Sequence, residues 1–147
     1  MLVDNVKTLQ GTAFCFYLKL ANFHWNIEGP DFTQYHSFLG DYYGDVYDTI
    51  DRLAEYVRAL DSYAPGTLAR MGELSVIEDY TGPQIGWEQM FTIIFEDGNT
   101  LLNLYKDSFK VADADNEQGI ANFFAEQIDA LEKRQWMIRS ILKTSKA

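Results

Sequence analysis

The feature that most constrains this chain is an apolar seam that recurs every three or four residues along four long stretches. In residues 4 to 28 it runs Val6, Leu9, Ala13, Phe16, Leu20, Phe23 and Ile27, the pattern of a helix packing at a shallow angle on others. Gly29-Pro30 ends that stretch, and Asp31 is placed to cap the next. The second seam runs Phe32, Tyr35, Leu39, Tyr42, Val46, Ile50, Leu53, Val57 and Leu60, roughly 45 Å of helix. "SYAPGT" breaks the pattern, and "LARMGEL" has room for only a short helix. Gly82-Pro83 predicts the start of a third long helix, with proline in its first position. That helix carries Trp87, Met90, Ile94, Leu101 and Leu104, with polar Asp97 where an apolar residue is expected. Asp97 is either hydrogen-bonded inside the bundle or turned to the interior of a larger assembly. "ADADNEQG" reads as an acidic connector, and the last helix carries Ile120, Phe124, Ile128, Leu131, Ile138 and Leu142, with Trp136 beside the seam. The expectation is one all-α domain over residues 1–147, a four-helix bundle with a short extra helix between helices two and three.

Composition narrows the function. Net charge is −10, from 22 acidic and 12 basic residues, and neither end carries a lysine-rich arm, so strong binding to DNA phosphates is not expected. No apolar run reaches the roughly 20 residues of a membrane span. "MLVDNVKTLQ" lacks the basic and apolar regions of a secretory signal, which predicts a cytoplasmic protein. The lone Cys15 excludes an internal disulfide and any multi-cysteine zinc site, and its apolar surroundings predict packing.

The two histidines, His24 and His36, lie twelve residues apart across the Gly-Pro break. An ordinary di-iron bundle needs Glu-x-x-His on two helices, but Ala21 and Thr33 precede these histidines by three, so that centre is excluded. Asp51 and Glu55 sit four apart on one face of the second helix, flanking its seam. Alone they read as a solvated flank or as partners of Arg52 and Arg58. His36 lies fifteen residues before Asp51, roughly 22 Å along the helix, too far for one metal. A two-fold axis crossing the helix would bring Asp51 and Glu55 of an antiparallel partner opposite His36, with His24 beside it. Imidazole with carboxylate suits iron, and would also accept zinc, cobalt or manganese.

"NFHWNIEG", "FTQYH" and "DRLAE" resemble the core of the Dps family, the mini-ferritins or DNA-binding proteins from starved cells, and weaker likeness covers nearly the whole chain. The resemblance implies a ferritin-like bundle, with the crossover of that fold between helices two and three. It implies hollow shells of twelve subunits that oxidise Fe(II), with hydrogen peroxide favoured over dioxygen, and store ferric oxide inside. By position, the ferroxidase ligands would be His24 and His36 of one subunit with Asp51 and Glu55 of its neighbour. Trp25 matches a tryptophan near that centre. Asp113, Asp115 and Glu117 are candidates for an ion path, beside the plainer reading of a solvated acidic loop. Two positions depart from the family pattern: Gly40 stands where a further acidic residue is common, and Tyr56 where arginine is common. Gly40 motivates a rival, a structural or DNA-condensing shell with little catalysis. A bundle holding another divalent metal is a third reading.

Overall fold

The computed structural model describes residues 1–143, so of the terminal "KTSKA" only Lys143 falls within it. Five helices follow one another: α1 (Leu2–Asn26), α2 (Phe32–Ala59), α3 (Leu68–Leu74), α4 (Trp87–Ala114) and α5 (Gln118–Leu142). The seams account for them. Val6, Leu9, Ala13, Phe16 and Leu20 of α1 meet Leu39, Tyr42, Leu53 and Val57 of α2, Ile94 and Leu101 of α4, and Phe124 and Ile138 of α5 in one buried core.

Aromatic contacts fix the directions. Phe16 meets Tyr42 edge-on, and Tyr56 meets Phe123, so α2 runs antiparallel to both α1 and α5. Tyr35, near the start of α2, stacks on Trp87 at the start of α4, with ring centroids 4.9 Å apart. The chain must therefore return the full length of α2 before α4 begins, and α2 and α4 run parallel. The return path follows α1 in register. Gln10 Nε2 donates to the Pro65 carbonyl, Thr12 Oγ1 accepts from Val76 N–H, and Lys19 Nζ donates to the Glu78 carbonyl. Gly11 permits the docking of α3, because a Cβ there would lie 2.7 Å from Leu74 Cβ and 2.9 Å from the Met71 carbonyl oxygen. Cys15 is buried on the same surface, its Sγ 3.8 Å from the Met71 oxygen, as a packing residue. Thr67 caps α3 by accepting the Arg70 N–H at 3.2 Å. Thr67→Ala is expected to lower stability by about 1 kcal/mol, read as a shifted urea midpoint.

Three local expectations are corrected. The third long helix begins at Trp87 and not at Pro83: Gly86 occupies its N-cap, and the Pro83 carbonyl accepts a hydrogen bond from Tyr80 Oη. Asp31 holds the N-cap position of α2 without a side-chain cap, its carboxylate 3.5 Å from Tyr35 Oη instead. The acidic connector is shorter than its composition suggests, since α4 continues to Ala114 and turns through Asn116, whose φ is 58°. Asp97 belongs to the bundle: its carboxylate faces Lys19 Nζ at 2.8 Å across the α1–α4 contact. Among the described residues no helix is long and apolar enough to cross a membrane.

Candidate metal centre at the start of helix two

His24 lies in the last turn of α1 and His36 in the second turn of α2, and the antiparallel turn between them brings the rings face to face. The ring centroids are 3.8 Å apart with planes 12° from parallel. Each ring is tied to the other residue's backbone. His24 Nδ1 donates to the His36 carbonyl oxygen at 2.5 Å, and His36 Nδ1 donates to the His24 carbonyl oxygen at 2.7 Å. A carbonyl only accepts, so each ring carries a proton on Nδ1, and in the neutral form of that tautomer the lone pair is on Nε2, turned to another partner. The His24 carbonyl can take this bond because it belongs to the last turn of α1, where carbonyls lack helical partners. An Nδ1–H held by a carbonyl is also how metal-binding histidines are oriented and made better donors.

Neighbouring rings clamp the pair. Phe32 stacks on His36 with centroids 4.9 Å apart, and Tyr43 meets His24 edge-on at 5.2 Å. Gly40 supplies the floor, its missing side chain leaving room for the His24 ring. The functional signal missed in the sequence is the recurrence of Phe32, His36, Gly40 and Tyr43 at spacings of four, four and three, a single helix face behind the imidazoles.

Asp51 and Glu55 lie further along α2 and are exposed, and one chain does not bring them to the histidines. Among the described residues no three His, Cys, Asp or Glu side chains gather into a metal site. Nor do the basic neighbours take the two carboxylates. Arg52 donates to Tyr56 Oη at 3.2 Å and lies 4.4 Å over the Phe123 ring, while Arg58 donates to the Ser62 carbonyl. Tyr56 thus stands where the family pattern has a cation, with a guanidinium resting against it. By the helix period of about 100° per residue, His36, Tyr43, Tyr47, Asp51 and Glu55 follow one side of α2, which starts at the edge of the buried Leu39 and Val46 seam, where Tyr43 packs on the core, and winds away from it toward Asp51 and Glu55. That side continues into exposed aromatic surface at Tyr47 (54% exposed), and Trp25, beside His24, is 62% exposed. Asp113, Asp115 and Glu117 are exposed at the α4–α5 corner and hold no ion pair among the described residues.

A family model for the ferritin-like domain matches residues 6–147. A DNA protection during starvation protein of Brevibacillus brevis is 32% identical over 127 residues, covering 86% of this chain and 85% of that one. The protein of the same name from Helicobacter pylori is 28% identical over 137 residues, covering 93% and 95%. A crystal structure of a Dps protein from Bacillus brevis superposes with a TM-score of 0.92 at 28% identity, over 97% of this chain and 95% of that one. With the crossover bundle and the facing histidines already in place, these likenesses put the chain in the Dps group of the ferritin-like family.

Proposed function

We propose that this protein oxidises Fe(II) at sites shared between two subunits and stores the ferric product inside a twelve-subunit shell. The reading rests above all on the reciprocal locking of His24 and His36, which leaves their Nε2 atoms on a surface where the described residues gather no further ligand. A two-fold partner supplies the rest: Asp51 and Glu55 of the partner subunit face the imidazoles, and the symmetry makes two identical sites. Aromatic surface around Tyr47 and Trp25 suits burial in that interface. Iron is the substrate. Two ferrous ions each give one electron, the peroxide O–O bond breaks, and two protons complete two waters, so no hydroxyl radical is released. Dioxygen is the slower alternative oxidant. Neutral imidazoles and ionised carboxylates hold Fe(II), and ferric ion, harder and oxygen-seeking, passes to interior carboxylates.

The relatives' printed names point to DNA protection during starvation. With a net charge of −10, this chain protects by removing iron and peroxide and not by gripping phosphates.

The test is complementation between subunits. A His24→Ala/His36→Ala chain and an Asp51→Ala/Glu55→Ala chain are each inactive when assembled alone. Assembled together at random, roughly a quarter of the sites recover a complete ligand set, and peroxide-driven Fe(II) oxidation returns in proportion. Mixed shells as inactive as either parent would refute a site built from two subunits.

A further inference from the structure

Gly40 occupies the position on α2 four residues after His36, and the ring of His24 lies directly on it. A Cβ built there would stand 2.9 Å from His24 Cε1, 3.1 Å from Nδ1 and 3.7 Å from Nε2. The first of these is closer than carbon atoms approach, so a side chain at position 40 requires the ring to shift from the place it holds in this chain. Displacement is not free. The ring is held on one face by His36, on its edge by Tyr43, and at Nδ1 by the His36 carbonyl. Moving it breaks the bond that fixes the Nδ1–H tautomer and so frees the proton to sit on Nε2, where it blocks the lone pair.

We propose that Gly40 is a positioning residue for the metal site of this chain: where the family pattern has an acidic side chain, the missing Cβ lets His24 stack directly on His36 with Nε2 available. The proposal rests on the reading of His24 and His36 as metal ligands. It also reverses the meaning of the glycine. In place of an absent ligand, position 40 is a seat for an existing one, and the donor set is two imidazoles plus the partner subunit's carboxylates. A nitrogen-rich set of this kind binds cobalt and zinc at least as well as Fe(II), which makes redox-inert Co(II) a usable probe.

The test compares wild type, Gly40→Ala and His24→Ala as assembled shells, titrated with Co(II) by visible absorption, with ring-nitrogen NMR reporting the tautomer of His24. Gly40→Ala is expected to weaken Co(II) binding about tenfold or more and to move the His24 nitrogen signals away from the Nδ1–H pattern. Its helix content and shell mass should stay as in wild type, because alanine favours a helix over glycine. Wild-type affinity and an unchanged tautomer in Gly40→Ala would overturn the positioning role while leaving the ligands intact. Co(II) binding that survives His24→Ala unchanged would instead overturn the ligand reading beneath it.

Discussion

Replacing both histidines, His24→Ala/His36→Ala, should bring peroxide-driven Fe(II) oxidation down by roughly two orders of magnitude, to the rate in buffer, while light scattering shows the shell intact. The size of the effect follows from the ligand count. On the proposed ligand set the two Nε2 atoms are what this subunit's described residues offer the site, and without them two partner carboxylates should bind ferrous ion no better than other exposed pairs do. The shell survives because neither imidazole is buried in the core, which lies along Phe16, Leu20, Phe23, Leu39 and Tyr42. The single variants are informative. In His36→Ala the backbone carbonyl at position 36 remains, so His24 keeps its Nδ1–H bond and its tautomer. One locked imidazole then persists, and oxidation should fall less than in the double variant. Rates at the wild-type level in the double variant would remove the histidines from the chemistry altogether.

The bundle was legible because its information is periodic and local. Spacings of three and four from Val6 to Ile27 and from Phe32 to Leu60 place one face inside, and these two helices end three residues before the breaks at Gly29 and Ser62. The start of α4 was misread for the same reason in reverse. Proline suits a first helical turn, but residues 75–86 are held by α1 and by their own turns, including Tyr80 Oη to the Pro83 carbonyl. Tertiary contacts outvoted a local preference. The candidacy of His24 and His36 as ligands could be read from residue type and family likeness. Their tautomer could not, because it depends on two carbonyls that meet only when α1 and α2 are antiparallel. Gly40 carried the opposite message in sequence, a lost carboxylate, since nothing in the order of residues reveals a ring lying on it. Asp97 stayed undecided because its partner, Lys19, is remote in the chain and sits between seam positions of α1.

That pair carries the second large effect, on stability. Lys19 is 8% exposed and Asp97 17%, with Nζ facing the carboxylate at 2.8 Å while its aligned hydrogen bond goes to the Glu78 carbonyl at 2.9 Å. One ammonium therefore ties α1 both to α4 and to the crossover. Lys19→Met keeps the apolar stem but strands a buried carboxylate and an unbonded carbonyl, and should cost about 3 kcal/mol. The loss is read as a lower urea midpoint at fixed protein concentration, with an unchanged slope. Lys19→Met/Asp97→Leu should recover most of it, because removing both charges removes the desolvation that made the single change costly. The pH dependence has a definite sign. Burial pushes the Asp97 carboxyl above its ordinary value of 3.8, and Lys19 pulls it part of the way back. In that window the folded chain binds the proton more readily than the unfolded one, so the group's contribution falls as pH rises through its folded pKa. Without Lys19 the opposing pull is gone and the window extends upward. Lys19→Met should then lie nearest wild type in acid and diverge from it as pH approaches neutrality. A deficit that is constant with pH, or a double variant as unstable as the single, would show that the stem of Lys19 and not its charge holds this corner of the bundle.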